Sequence, residues 1–319
     1  MATENNGPPS LPDDILCEIF SLLDMKTLKS CSLTNKALSF SAKPFLHRSL
    51  VLAPQSMFLP RPRVPGSWNE FSRLSILGER GLLRYTHHLS ITFPHDPRFA
   101  YGLEPYIQHL RTITNLWTLE VHWLDTLLYV PKMVECFGGF LGTLQSLNLI
   151  FARGENKRIL YFVCLFPNLR DLKVYSVNGY TSSMRNDGRF DIKTSPLLDG
   201  TFDFQWDVRS ESEPMGAHLF LSDLVALPSG LKFRTLKLST ECTSDNLQLL
   251  VNACAPTLEC MELIGGRSSA PFLHRECLRS PLLTRFTYQS FQHILGSVLK
   301  HQEFYKCADR AEIRTLSVF

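Results

Sequence analysis

Cysteine and histidine are the residue types here that could support metal or redox chemistry. The 319-residue chain has nine cysteines and ten histidines. Cys254, Cys260, His274 and Cys277 lie close together and could be imagined as zinc ligands, but their spacings match no structural zinc pattern and no Cys-x-x-Cys pair occurs. An odd number of cysteines in a long chain favours reduced thiols in the core. The sequence therefore predicts buried thiols and no metal site.

Motifs of the common catalytic sites do not occur in this sequence. It contains no G-x-S-x-G, no G-x-x-x-x-G-K-[ST], no G-x-G-x-x-G and no H-E-x-x-H, and its acidic residues form no pair whose spacing implies acid–base catalysis. The pair His87-His88 lies at the start of a predicted strand, where packing and solvent contact explain it. We therefore expect a non-catalytic protein without a cofactor.

The composition is that of a globular chain, with 44% hydrophobic and 20% charged residues. Its longest apolar run, 159–166, is far shorter than the roughly 20 residues of a membrane span. The net charge is only +3, and no block of five basic residues suggests a nucleic-acid partner. Residues 1–9 are polar, have no signal-peptide pattern and are expected to be disordered. The sequence predicts an intracellular protein, in the cytoplasm, the nucleus or both.

Residues 10–52 have the pattern of three short helices. Pro12, followed by two aspartates, marks the first helix start, and Asp24 can cap a second helix. Thr34 can cap a third helix, which Pro44 is expected to end. The first helix has an apolar face formed by Ile15, Leu16, Ile19, Phe20 and Leu23. Three such short helices cannot enclose this face, and surplus apolar surface predicts a partner.

The same segment resembles an F-box. Residues 11–23 follow the LPxxILxxIFxxL opening of that family, and Leu28 and Leu33 continue the likeness, while Leu38 and Phe40 stand near where many members have Trp. The resemblance implies three helices that bind the Skp adaptor of cullin–RING ubiquitin ligases.

The resemblance also implies a set of eight residues that form either the internal core of the head or the contact with the adaptor. The sequence does not show which of them have which role. These residues are Leu11, Pro12, Ile15, Leu16, Ile19, Phe20, Leu28 and Leu33. The alternative is a helical cap that packs on the following domain and binds no partner.

A proline-rich segment, 53–66, follows the helices and predicts an extended, semi-rigid joint. Ser67 and Glu70 then form a capping box for a further helix that carries Leu74. We expect this joint to hold the helical head at a fixed angle to the domain formed by residues 67–319.

A six-residue pattern, apolar-x-x-apolar-x-apolar, recurs along that domain at steps mostly of about 25 to 30 residues, a period typical of leucine-rich repeats. The windows begin at Thr86, Leu116, Leu144, Leu169, Asp199, Phe233, Leu258, Leu283 and Ile313. Positions 4 and 6 would point inward along short parallel strands. The predicted fold class is α/β: a leucine-rich-repeat solenoid with strands on the concave face and helices or turns on the convex face. An ordinary α/β domain is the alternative.

Two segments interrupt the regular repeat. Residues 197–236 resemble a signature of F-box-like proteins expanded in mushroom-forming fungi. Residues 176–196 are polar and contain Asn178-Gly179 and Asp187-Gly188, which predict a surface loop inserted between repeats.

The last window runs to Phe319 without a polar cap, so we expect further sequence or a partner at that edge.

Positions 3, 5 and 7 of each window point to the open face of the predicted sheet. The candidate substrate-binding residues on it are Glu120, His122, Asp171, Lys173, Tyr175, Lys237 and Arg285. Tyr175 and Arg285 are of the types that dominate binding energy at interfaces. A solvated face without a ligand is the alternative.

Together these features predict the substrate-recognition adaptor of a Skp–cullin–F-box ubiquitin ligase. The F-box would bind the Skp adaptor, and the repeat domain would bind a protein target. One alternative is an interaction scaffold whose F-box-like head serves no ligase. A remote alternative is an enzyme on an α/β fold.

Overall fold

The computed structural model describes residues 11–53, 69–93, 108–124, 134, 137–175, 178–180, 192–205, 214–239, 244–265 and 285–290. Within these ranges the fold is α/β, with three helices at the amino terminus followed by a parallel sheet. The predicted window at Ile313 and the predicted disorder of residues 1–9 lie outside the described residues.

Three short helices form the head of the molecule. They are α1 (Asp13–Leu22), α2 (Met25–Thr34) and α3 (Lys36–Leu46). The predicted cap of α2 is confirmed, since the Asp24 carboxylate accepts the Thr27 backbone N–H at 2.8 Å. This bond holds the pKa of Asp24 below its usual range.

The predicted bounds of α3 were wrong at both ends. Thr34 ends α2, and Asn35 caps α3 by accepting the Leu38 backbone N–H at 2.8 Å. Pro44 lies inside α3 instead of ending it. A proline removes one helical hydrogen bond, and here the helix continues for only one further residue pair, so the loss is confined to its last turn.

Nine strands form a single parallel sheet within the described residues. They are β1 (Ser49–Leu52), β2 (His88–Thr92), β3 (Thr118–His122), β4 (Ser146–Ile150), β6 (Asp171–Tyr175), β8 (Thr201–Gln205), β9 (Thr235–Ser239), β10 (Cys260–Gly265) and β11 (Arg285–Ser290). They follow one another in space in the order of the sequence, and every neighbouring pair is parallel. All predicted windows from 86 to 288 are confirmed as strands.

Helices and turns connect the strands. The helices are α4 (Asn69–Glu79), α5 (Asn156–Cys164), α6 (Pro214–Val225) and α7 (Ser244–Cys254), with 3-10 turns at Leu83–Tyr85 and Gln108–Thr112. The helix predicted after residue 67 is confirmed from Asn69 onward, and its Leu74 side chain is buried. Ser67, its predicted cap, lies outside the described residues.

At six of the eight strand pairs, one backbone carbonyl before a strand fixes the register of the next strand. The Trp117 carbonyl accepts the N–H groups of Gln145 and Ser146 at 3.0 and 2.9 Å. The same two-donor arrangement recurs at the carbonyls of Arg48, His87, Gln145, Gly200 and Arg234. Between β6 and β8, the Arg170 carbonyl accepts only the Gly200 N–H, and the Asp171 carboxylate accepts the Thr201 N–H. Each repeat is therefore joined to its neighbour before the strand ladder begins, which keeps equivalent positions aligned across the sheet.

The core lies beneath the sheet and is built from positions 1, 4 and 6 of the windows. Leu144, Leu147 and Leu149 are fully buried, and the windows at Thr86, Leu116, Leu169, Phe233 and Leu258 bury the same three positions. The window at Asp199 buries only Phe202 and Phe204. Burying a leucine side chain contributes about 1.5–3 kcal/mol, so each repeat is stabilised by packing on its neighbours. Stacked Phe202 and Phe233, with ring centroids 5.1 Å apart, fill the step where the sequence period is longest.

Residues 49–52 belong to the sheet, although the sequence analysis placed them in the helical head. Leu50 and Leu52 are buried in the core of the sheet, and β1 pairs with β2 over its whole length. The Thr86 hydroxyl also donates to the His47 carbonyl at 3.2 Å. The head is thus tied to the sheet ahead of the proline-rich segment, of which residues 54–66 lie outside the described residues.

The predicted inserted loop contains a strand. Residues Asn178–Tyr180 (β7) pair in parallel with Arg153–Glu155 (β5) in a second, two-stranded sheet. The Asn178-Gly179 pair that suggested a turn is therefore extended, because its backbone hydrogen bonds go to a partner strand that the local sequence does not reveal.

Candidate interaction surfaces

The head exposes an unusual amount of apolar surface. In the described part of the chain, the exposed large hydrophobic side chains are Leu11, Ile15, Ile19, Leu22, Met25, Leu33, Phe40, Val51, Ile76, Trp117 and Leu197. Seven of these eleven lie between residues 11 and 40. Ile15, Ile19 and Leu22 recur every three or four residues, so they line one side of α1, and Leu11 lies just before that helix.

The structure divides the predicted adaptor-contact residues into core and surface. Phe20 and Leu28 are buried with Ala42 in a small core, and Leu16 is partly buried against it. The Phe20 ring packs edge-on against Phe45, with centroids 6.0 Å apart. The remaining residues of the set are exposed: Leu11, Pro12, Ile15, Ile19 and Leu33. Leu33 is 86% exposed and so contributes little to the head core.

Three further exposed apolar residues of the head were missed by the sequence analysis as contact candidates. Leu22, Met25 and Phe40 are 83%, 43% and 67% exposed. Their apolar type was visible in the sequence, but their exposure depends on how the three helices pack, which residue spacing alone does not give.

A continuous row of polar residues crosses the open face of the sheet. The register places Ser90, Glu120, Asn148, Lys173, Asp203, Lys237 and Glu262 side by side on successive strands. Its last four members alternate in charge. Opposite charges on neighbouring strands stabilise a sheet, so this row has a structural role whether or not it binds a ligand.

Glu120 is the hub of the first part of this row. Its carboxylate accepts the Ser90 hydroxyl at 2.9 Å, lies 2.7 Å from His122 Nε2, and accepts the Asn148 amide at 3.5 Å. Burial alone would raise the pKa of Glu120, but the bonds from His122 and Ser90 outweigh it, so its pKa lies below the usual range. The carboxylate is therefore a fixed acceptor at neutral pH.

The second part of the row consists of ion pairs. Lys173 Nζ lies 3.3 Å from the Asp203 carboxylate, and Lys237 Nζ lies 3.0 Å from Glu262. The hydrogen bond to Glu262 raises the pKa of Lys237. Both lysines remain about 40% exposed, at 41% and 40%. Both lysine charges are paired within the chain, so an acidic ligand at this face would have to compete with the Asp203 and Glu262 carboxylates.

An aromatic group lies at the carboxyl ends of β3, β4 and β6. The rings of Trp123 and Phe151 stack with centroids 4.2 Å apart, and Phe151 meets Tyr175 edge-on at 5.2 Å. Trp123 and Phe151 have φ angles of 60° and 55°, a left-handed conformation that costs a bulky residue about 1–3 kcal/mol. Tyr175 therefore belongs to an aromatic stack with Trp123 and Phe151, which were not among the predicted binding residues.

The other predicted open-face residues are placed as follows. Asp171 is half-buried at the start of β6, and its carboxylate accepts the Thr201 backbone N–H at 2.6 Å. Arg285 begins β11, but its side chain lies outside the described residues. Asp171 is thus occupied in joining β6 to β8.

A groove lies at the amino-terminal ends of the strands. We call this side of the sheet, formed by the turn residues directly before the strands, the amino edge. The groove has a volume of about 460 Å³ and is lined by Trp117, Gln145, Pro167, Arg170, Leu197 and Asp199 among others. Trp117 and Leu197 are 42% and 46% exposed. The sequence pattern predicted turns at this edge, and the predicted binding residues lie on the strands instead.

The described part of the chain shows no group of three or more potential metal ligands. Cys254 is buried and Cys260 is partly buried, while His274 and Cys277 lie outside the described residues. Burial raises the pKa of the Cys164 and Cys254 thiols to about 12, so both stay protonated and unreactive. In the same ranges, no helix has the length and apolar character needed to cross a membrane.

Comparison with known proteins identifies the head. Residues 9–53 match a family model described as F-box-like. No curated protein matches the chain significantly. Domains of this type are typically non-catalytic adaptors that bind Skp-type partners. The chain thus carries an F-box-like domain, which comprises the three helices α1–α3 and the first strand of the sheet.

Proposed function

We propose that this protein is the substrate-recognition adaptor of a Skp–cullin–F-box ubiquitin ligase, acting inside the cell in the cytoplasm, the nucleus or both. The observation that carries the proposal is the exposed apolar face of the F-box-like head. A domain with three fully buried apolar residues, yet seven exposed large ones, has surface that a partner would bury. The Skp adaptor is the partner that the family match supports.

The contact residues that we assign to the Skp adaptor are the exposed members of the predicted set. Leu11 and Pro12 lie directly before α1, Ile15 and Ile19 lie on α1, and Leu33 lies on α2. Phe20, Leu28 and Leu16 support the head from inside. Leu22, Met25 and Phe40 join the contact set because of their exposure.

The sheet domain is proposed to be a leucine-rich-repeat solenoid that binds a protein target. Its support is the in-register parallel sheet, the repeated window and the two-donor carbonyl that recurs at six of the eight strand pairs. The proposed mechanism is proximity: the adaptor raises the effective concentration of a target lysine near the conjugating enzyme, and other subunits supply the chemistry. The short link from α3 into β1 would keep target and ligase in a defined orientation.

A second candidate function is an interaction scaffold that serves no ligase. The two functions differ in whether the exposed face of the head binds the Skp adaptor. The chain should be co-purified with a Skp adaptor as wild type, as Leu11→Ala/Pro12→Ala and as Ile15→Asp/Ile19→Asp. The ligase function predicts that wild type binds and that both double variants lose affinity, by about 2 kcal/mol or more where a hot spot is removed.

Matched variants separate a lost contact from a lost fold. Ile76 on α4 is 48% exposed, similar to Ile15 and Ile19, so Ile76→Asp should bind as wild type does. Circular dichroism should show unchanged helix content in the α1 variants, because both isoleucines point to solvent. An absence of wild-type binding would exclude the ligase function, whereas full binding by both double variants would exclude our contact assignment.

A further inference from the structure

The amino edge carries apolar surface that the fold itself does not use. Outside the head, the described part of the chain exposes four large hydrophobic residues: Val51, Ile76, Trp117 and Leu197. Two of them, Trp117 and Leu197, line the same groove. The Trp117 ring lies against the His87 ring at 4.4 Å, which orients the indole while leaving it 42% exposed. An oriented, exposed tryptophan in a concave site has the properties of a binding hot spot.

The groove also has hydrogen-bond donors to spare. Arg170 lies between the two apolar ends, is 54% exposed and donates its Nε–H to Asp199 at 2.8 Å. A guanidinium has four further N–H donors in a planar fork, and in the described ranges they have no acceptor. A carboxylate that lies beside Arg170 could therefore bind it without displacing Asp199.

Two cations lie along the amino edge on either side of the groove. Arg48 precedes β1 and Lys232 precedes β9, both are exposed, and neither has an acidic partner among the described residues. The nearby acidic residues Asp199 and Glu259 are each paired with an arginine of the edge, Glu259 with Arg234 at 3.7 Å. Asp199, and more weakly Asp171, raise the pKa of Arg170, so the positive charge that lacks an acidic partner along this edge is that of Arg48 and Lys232.

The dimensions of this edge suit an extended chain. Six strand spacings separate β1 from β9, which is about 29 Å at about 4.8 Å per strand. An extended peptide that crosses this distance needs about nine residues at about 3.3 Å each. Its middle would lie over the groove, and its ends would lie near Arg48 and Lys232.

We propose that the amino-edge groove binds an extended acidic peptide segment with a large apolar side chain at its centre. The apolar side chain would occupy the space between Trp117 and Leu197, and acidic residues on either side would meet Arg170 and the edge cations. The open face is a weaker candidate for such a peptide, since Lys173 and Lys237 are already paired there. The inference rests on the proposed function in one respect only, that the peptide belongs to a substrate.

The test uses the full-length chain and an array of peptides of about nine residues, the length derived above. The central residue is Phe, Leu or Ser, and the flanking residues are Glu, Gln or Lys. We expect retention of the chain on peptides with a Phe or Leu centre and Glu flanks. Affinity for the best peptide is then measured by fluorescence anisotropy for wild type, Trp117→Ala, Arg170→Gln, Lys237→Ala and the control Ile76→Ala.

Trp117→Ala should weaken binding about 30-fold, as expected for a hot-spot tryptophan, and Arg170→Gln should reduce the preference for Glu over Gln flanks. Lys237→Ala and Ile76→Ala should bind as wild type does, and all variants should keep the wild-type circular dichroism spectrum. The proposal is overturned if no acidic peptide with an apolar centre is preferred, or if Lys237→Ala abolishes binding while Trp117→Ala does not. Because this assay contains no Skp adaptor, its failure is distinct from failure of the ligase function.

Discussion

Gly200 is the position where a single methyl group should disturb the sheet most directly. It lies immediately before β8, and a Cβ placed there would collide with the Asp171 carboxylate and lie 3.0 Å from the Arg170 carbonyl oxygen. The carboxylate cannot simply turn away, because it accepts the Thr201 backbone N–H at 2.6 Å. Gly200→Ala must therefore break that hydrogen bond or push β6 and β8 apart.

The expected cost follows from these contacts. A hydrogen bond to a charged group contributes about 1.5–3 kcal/mol. Replacing glycine by alanine stabilises the folded protein by about 0.4–1 kcal/mol, because it lowers the conformational entropy of the unfolded chain. Gly200→Ala should therefore destabilise the protein by about 1–2 kcal/mol, measured as the shift of the urea unfolding midpoint followed by circular dichroism. The matched control is Gly142→Ala, because a Cβ at Gly142 has no atom within 4 Å; that variant should be neutral or slightly more stable.

A double variant tests the proposed cause. In an Asp171→Ala background the carboxylate is gone, so the added cost of Gly200→Ala should fall by at least about 1 kcal/mol, a coupling typical of residues in contact. An equal cost in both backgrounds would refute the role of the carboxylate. A neutral Gly200→Ala in the wild-type background would refute the close approach of the two strands.

Three other predictions concern the row on the open face, the junction between head and sheet, and the head core. Because the pKa of Glu120 is lowered in the folded protein, its ionised carboxylate should stabilise the fold above about pH 4.5, and this stabilisation should be lost as the pH falls through the lowered pKa. In Glu120→Gln, the urea unfolding midpoint should therefore change less with pH in that range. Burial and, to a smaller extent, neighbouring positive charges lower the pKa of His47, His87 and His88. The folded state then binds fewer protons than the unfolded state, so the free energy of unfolding should decrease as the pH falls below about 6.5. A urea unfolding midpoint that stays constant from about pH 7.5 to 5 would contradict this prediction. Phe20→Ala should cost about 3–5 kcal/mol and lower the helix content measured by circular dichroism, because the head core has only three fully buried apolar residues; unchanged helix content would show that the head is held by its contacts with the sheet.

The sequence predicted most of the fold because the repeat is local. Each window needs only a six-residue pattern to specify which side chains point inward, so the strands that follow β1 in the nine-stranded sheet could be predicted one by one. The helical spacing on α1 and the cap at Asp24 are equally local. The F-box-like segment was identified by the resemblance of residues 11–23 to the opening of that family, which the family match at 9–53 supports.

Errors arose where partners distant in sequence decide the structure. Residues 49–52 became a strand because β2 supplies their hydrogen bonds, and Asn178–Tyr180 became a strand because Arg153–Glu155 does so. Pro44 was expected to end its helix, but its position in the last turn limits the loss. For the two strands, the local pattern does not contain the distant segment that supplies the hydrogen bonds.

The candidate sites divide in the same way. The sequence by itself determined the apolar face of the head, the inward rows of the sheet and the polar residues of the open face, since these depend on residue type and period. Only the tertiary structure separated buried Phe20 from exposed Ile19, paired Lys237 with Glu262 and brought Trp117 and Leu197 to one groove. Exposure, pairing and concavity belong to the packed arrangement, because each depends on atoms from segments that are tens of residues apart.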